Sequence, residues 1–213
     1  MRDLRRRTPL RALSAFASVA LLGAFAPAAE LPAELPNELP AASALVAADP
    51  GTPTVTTPFR GDLSEHVVVI SIDGLRPDAI ARFDAETLLK LMREGSYTLN
   101  ARTIMPSRTL PSHTSMLTGL EPEDHGITWN SDKTHSHGTV EVPTIFAAAH
   151  ARGLQTAAFF SKTKFHHLEA PRSLSHVNSP QSGKLSAGQT VRAVREYLKT
   201  EKPNLMFVHI GEP

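Results

Sequence analysis

The chain has 213 residues, with 22 Lys and Arg against 21 Asp and Glu, and no cysteine. Without cysteine there is no disulfide framework and no thiolate metal site, so stability must come from an apolar core or from metal held by oxygen and nitrogen. Residues 1–28 hold five arginines and one aspartate; the remainder has 17 basic residues against 20 acidic, a net charge of −3, and without a Lys/Arg cluster it lacks the basic surface that a nucleic-acid polymer demands.

At the N-terminus, Arg2, Arg5, Arg6, Arg7 and Arg11 precede an apolar run from Ala12 to Ala26, closed by the small residues Ala26-Pro27-Ala28. This reads as a cleavable export signal over residues 1–28. The run is shorter than the roughly 20 residues of a spanning helix, so no stable membrane anchor is expected after cleavage. The expected location is periplasmic or extracellular. Residues 29–62 repeat Glu-Leu-Pro from Glu30, Glu34 and Glu38 and then turn to Ala, Thr and Pro, the composition of a linker. Residues 63–213 form the remaining unit, the size of one ordinary domain.

Within that unit, Val67–Ile72 is a continuous β-branched run that stops at Asp73-Gly74, the mark of a strand buried on both faces. Glu86–Glu94 is amphipathic, with Gly95 placed to supply a left-handed cap. Leu99–Ile104 reads as a second strand. Thr109–Thr118 reads as a helix with Thr109 at its N-cap and Pro111 in its first turn. Pro143 opens a third helix that Gly153 closes, and Thr156–Phe160 is a third strand. Val191–Lys199 is a fourth helix, and Leu205–Ile210 a fourth strand. This alternation predicts an α/β fold, a doubly wound, mostly parallel sheet with helices on both faces. In such sheets ligands lie beyond the carboxyl ends of the strands, which is where Asp73, Thr109, Ser161, Lys162 and Glu212 fall. His209, inside the last strand, reads as a hydrogen-bonded core residue.

A threonine hydroxyl attacks poorly at neutral pH unless a base or a metal stabilises its alkoxide. Asp73 can hold such a metal, and unpaired N–H groups at the start of a helix favour an anion in front of Thr109. Asn130 offers an amide donor to a non-bridging phosphoryl oxygen. Taken singly, each residue has a plainer reading: Asp73 a turn aspartate, Thr109 a helix cap, Asn130 a turn residue.

Together, VVVISIDGLRPD at Val67–Asp78, TLPSHTSMLTG from Thr109 and EDHGITWN ending at Asn130 resemble the alkaline phosphatase superfamily, in its nucleotide pyrophosphatase/phosphodiesterase-like (type I phosphodiesterase) branch. The resemblance is close over Val67–Asn130 and looser over Leu205–Pro213. It implies an alkaline-phosphatase-like core and an exported phosphoester hydrolase with two divalent metal ions, zinc favoured, acting on a small phosphoester. It also implies Thr109 as nucleophile and metal ligand, forming a phosphothreonine, with Asp73 as metal ligand and Asn130 as donor to the phosphoryl group. Members of this branch continue a segment like FVHIGEP with Asp and then Gly-His, so the expectation is an N-terminal part of a longer enzyme, with little activity on its own and the second metal's ligands beyond Pro213. Oligomeric state is left open.

Lys162 and Lys164, in SKTKFHHL, form a pair at the rim that resembles the Lys-x-Lys of phosphonoacetate hydrolases. As substrate-binding residues they favour monoesters or carboxylated phosphonates over diesters; solvated loop charges are the plainer reading. Ile104 stands where a sulfatase carries its Cys or Ser, which disfavours that chemistry. His113 and His125 read as braces for their loops. The His135/His137 and His166/His167 pairs read as polar loop residues, with no carboxylate at ligand spacing.

Overall fold

The computed structural model describes residues 64–212 together with the backbone of Val19–Ala24. The signal reading of residues 1–28 and the linker at 29–62 otherwise lie outside the described residues. Four strands, β2 (Val67–Ile72), β3 (Thr156–Phe159), β4 (His176–Asn178) and β5 (Leu205–Ile210), pair in parallel, and β1 (Val19–Ala24) runs antiparallel along the outer edge of β2. The order is β1-β2-β5-β3-β4, so β5 lies between the first and third parallel strands.

Alternation along the strands divides two apolar layers. Phe207 and Val69 face one side, with Leu110 and Leu117 of α3 (Thr109–Thr118), Phe146 of α6 (Ile145–His150), Phe160 and Phe165. Met206 and Val208 face the other with Ala157 and Phe159, covered by Ala193, Val194 and Tyr197 of α7 (Ala187–Tyr197). The fold is therefore the expected α/β sheet with helices on both faces. The same alternation puts Ser71 and His209, register partners near the ends of β2 and β5, on the side of α3.

Several boundaries differ from the sequence reading. Leu99–Ile104 is not a strand; Leu99 is exposed, as are Asn100 to Arg102, so the segment has no face to bury against a partner. The third parallel strand is instead β4, only three residues long. After α2 (Glu86–Glu94), Gly95 is extended, at φ −134°, and supplies no left-handed cap. Thr144 rather than Pro143 starts α6, its hydroxyl accepting from the Ala147 N–H. The last helix begins four residues earlier than Val191, at Ala187, because Ser186 and Gln189 close a capping box there. Short helices at Pro77–Arg82 (α1), Pro122–His125 (α4) and Thr134–His137 (α5), and a 3₁₀ segment at Thr163–Leu168, complete the described elements.

Candidate active site

Four chain segments deliver the site to the carboxyl end of the sheet. Asp73 is held at the tip of β2 by its own N–H, which donates to Ile210 O at 2.9 Å, and Gly74, at φ 77°, then turns the chain away. Thr109 is the first residue of α3. The cap is Arg108, which makes no side-chain cap bond, so the Thr109 hydroxyl is not spent on capping as expected. It donates instead to Asp73 Oδ2 at 3.2 Å. Lys162, just past β3, donates to the same oxygen at 2.6 Å. A cavity of about 440 Å³ opens here, lined by Asp73, Ser107, Arg108, Thr109, Asn130 and Lys162 among others.

Asn130 stands across from Asp73. Its Oδ1 accepts from the Leu110 N–H at 3.0 Å and from Lys164 Nζ at 3.1 Å, which leaves its NH₂ as the end free to donate. This changes the expected role of the helix end. Leu110's N–H is engaged by Asn130, Pro111 has none, and Ser112's goes to Arg108 O. Among the described residues, only Thr109's backbone N–H in this turn is without a partner. Anion binding at α3 thus rests on one amide and the Asn130 side chain, not on a row of helix-end amides.

Behind Asp73 stand two buried imidazoles. His209 Nε2 is 3.2 Å from Asp73 Oδ2 but has no partner at hydrogen-bonding geometry, while its Nδ1 is bonded to Ser161 Oγ at 2.8 Å. His113 donates Nδ1–H to Thr109 O at 2.7 Å and accepts the Ser71 hydroxyl at Nε2, also 2.7 Å, with that nitrogen 4.0 Å from Asp73 Oδ1. Burial pushes the Asp73 carboxyl up, but His209, Lys162 and His113 together outweigh it and hold it well below the usual carboxylate range. Burial, followed by the charge of His209, pushes His113 down to about 4, and burial lowers His209 despite its acidic neighbour. Burial, then the charge of Lys162, lowers Lys164. One donor atom from each of Asp73, His113 and His209 lies within 4.8 Å of the others, an arrangement able to hold a cation.

The structure thus brings together Asp73, Thr109, Asn130, Lys162 and Lys164. His209, read from sequence as core, also reaches the site. The signal for it was a lone polar residue near the carboxyl end of an otherwise apolar strand, two positions before Gly211-Glu212. Gly211 itself matters by what it lacks: a Cβ there would sit 2.7 Å from Ser161 Oγ and 2.8 Å from Lys162 Cε. Glu212 pairs with Lys184 at the cavity wall. Elsewhere, His125 bonds Ser115 and the Ile127 N–H, bracing its loop. A carboxylate does stand near His166, since Asp132 meets its Nδ1 at 2.8 Å, contrary to the spacing argument. His167 is committed to Trp129, Lys133 N–H and Gly138 O.

Comparison with known proteins follows these residues. A family model described as type I phosphodiesterase / nucleotide pyrophosphatase matches residues 67–213. Human ectonucleotide pyrophosphatase/phosphodiesterase family member 1 is 26% identical over 165 residues, 68% of this chain and 18% of that protein. The bis(5'-adenosyl)-triphosphatase enpp4 of Mus musculus is 31% identical over 81 residues, 36% of this chain and 18% of its own length. Its Xenopus laevis counterpart is 36% identical over 64 residues, 30% of this chain and 14% of its own. The chain spans less than a fifth of the length of these relatives.

Proposed function

The chain belongs to the type I phosphodiesterase / nucleotide pyrophosphatase family, and from that premise we propose that it carries the nucleophile of an exported, two-metal phosphoester hydrolase. The observation that supports this most directly is the Thr109 hydroxyl, 3.2 Å from Asp73 Oδ2 at the edge of a cavity of about 440 Å³. In this reading Thr109 Oγ attacks phosphorus, the P–O bond to the leaving alcohol or phosphate breaks, and water then hydrolyses the phosphothreonine. Asn130, with Oδ1 fixed twice, aims its NH₂ at a non-bridging oxygen, and Thr109's own N–H is the second donor. Donors set in place before the reaction stabilise charge as it develops without having to reorient.

The donors fit a divalent cation. Asp73 and Thr109 would hold it, and the unpartnered Nε2 of buried His209 stands 3.2 Å from Asp73 Oδ2. Nδ1–H of His209, donating to Ser161 Oγ, leaves Nε2 as the lone-pair nitrogen, the tautomer a metal selects. When bound, such an ion supplies the positive charge that makes an alkoxide available at neutral pH and offsets charge on the phosphoryl oxygens. Zinc suits this mixed oxygen and nitrogen set, and the second ion of the reading draws on ligands other than Asp73 and Thr109.

Names of the relatives point to phosphodiester or pyrophosphate bonds as the bonds cleaved. Lys162 and Lys164 favour a second reading, a phosphomonoester or carboxylated phosphonate, because each brings more negative charge to two ammonium groups. A panel of bis-p-nitrophenyl phosphate, p-nitrophenyl phosphate and a phosphonate separates the two. In the full-length protein, Thr109→Ala lowers turnover of whichever of these is cleaved by about 10³-fold or more, the scale expected for loss of a nucleophile. Turnover unchanged by that substitution contradicts the proposal.

A further inference from the structure

Lys162 does more than line the cavity. Its Nζ lies 2.6 Å from Asp73 Oδ2, nearer than Thr109 Oγ1 or His209 Nε2, each at 3.2 Å from the same oxygen. The lysine side chain is 21% exposed and the aspartate 13%, so the contact is shielded, unlike a surface ion pair that contributes little. Room for it exists because Gly211 has no Cβ; one built there would lie 2.8 Å from Lys162 Cε. The ammonium thus occupies the carboxylate oxygen that a metal ion at this site needs.

Resting on the metal reading of Asp73 given above, we infer that Lys162 is an internal cation that competes with the divalent ion for Asp73 and thereby sets the affinity of the site. Zinc binds a carboxylate oxygen at about 2.0–2.2 Å. An ammonium 2.6 Å from that oxygen cannot stay beside the ion against like-charge repulsion. Binding therefore exchanges one cation for the other, and Lys162 moves off Asp73 into the cavity it already lines. The contact given up is a charge-assisted hydrogen bond, a class of interaction whose loss changes a dissociation constant by about 10- to 100-fold.

The test is a zinc titration of the chelator-treated full chain near neutral pH and at fixed ionic strength, in competition with a chromophoric chelator. Lys162→Met binds its first equivalent about 10- to 100-fold more tightly than wild type. Lys162→Arg, which keeps the charge, does not tighten. Should Lys162→Met fail to give a wild-type circular dichroism spectrum, Lys162→Gln takes its place. Independently of any variant, amine labelling of the wild-type chain read by mass spectrometry shows Lys162 reacting faster once zinc saturates the protein, with Lys199 unchanged. Equal or weaker zinc binding by Lys162→Met, or Lys162 labelling indifferent to zinc, overturns the inference. Asp73→Asn tells the two failures apart. If it abolishes binding while Lys162→Met does not tighten, only the competition is wrong; if it binds zinc as wild type does, the metal reading of Asp73 falls as well.

Discussion

Side chains that looked alike in the sequence divide sharply by what surrounds them. His167 is buried and fully committed: Nε2 accepts from Trp129 Nε1 at 3.1 Å and from the Lys133 N–H at 2.9 Å, and Nδ1–H donates to Gly138 O at 2.7 Å. Protonation at Nε2 removes the acceptor that two donors use, and burial accordingly lowers the pKa from its usual 6.5. The unfolded chain therefore takes up this proton at a higher pH than the folded one. This contribution to stability is complete above pH about 6.5 and is lost as pH falls through the folded-state value. Trp129, the single tryptophan of the chain, reports the event directly. Its fluorescence is predicted to change reversibly on acidification below pH about 6.5, before global unfolding. In His167→Gln the step is absent, and a step of the same size there contradicts the account. Asp73, Thr109, Asn130 and the two lysines were legible in the sequence, because a carboxylate, a hydroxyl and an amide of the right kinds recur at strand and helix ends. His209 was not. Inside an apolar strand an imidazole looks like any buried polar residue, and only the register with Ser71 shows that it reaches the rim.

Among the elements, those with a strong local signal matched the reading and those defined by tertiary pairing did not. β2 and β5 were visible as β-branched and apolar runs, and α3 as a helix between Arg108 and Gly119, the latter at φ 74°. β4 is three residues long, His176–Asn178, with no periodicity to read; its pairing to β3 creates it. Leu99–Ile104 shows the reverse error, an apolar-looking segment without a partner. For α7 the decisive signal was Ser186 with Gln189 three residues on, rather than the apolar stripe that starts at Val191. Both halves of that box are made, with Ser186 Oγ accepting from Gln189 N–H at 3.3 Å and Gln189 Oε1 from Ser186 N–H at 2.9 Å. Ser186→Ala is expected to cost about 1 kcal/mol in urea unfolding. Zinc binding is unaffected, because α7 lies on the sheet face opposite α3. A loss of metal affinity in that variant contradicts the division of the two faces.

At the scale of the whole molecule, one sheet separates two tasks. The face bearing Phe207, Phe146 and Phe160 anchors α3 and so fixes Thr109, while the opposite face, under α7, supplies packing without touching the site. The sheet's parallel order sends the ends of β2, β3 and β5 to one rim, and that convergence places Asp73, Lys162 and Gly211 within reach of one another. From sequence, the strand-and-helix alternation was enough to expect such a rim, but not to show that a lysine would lie on the carboxylate. The central claim is that the Thr109 oxygen takes the phosphoryl group. The most direct measurement is an acid quench of the full-length enzyme during turnover of bis-p-nitrophenyl phosphate, followed by phosphopeptide mapping. The account predicts phosphate on Thr109; phosphate on Ser107 or Ser112, which line the same cavity, or on no residue at all would contradict it.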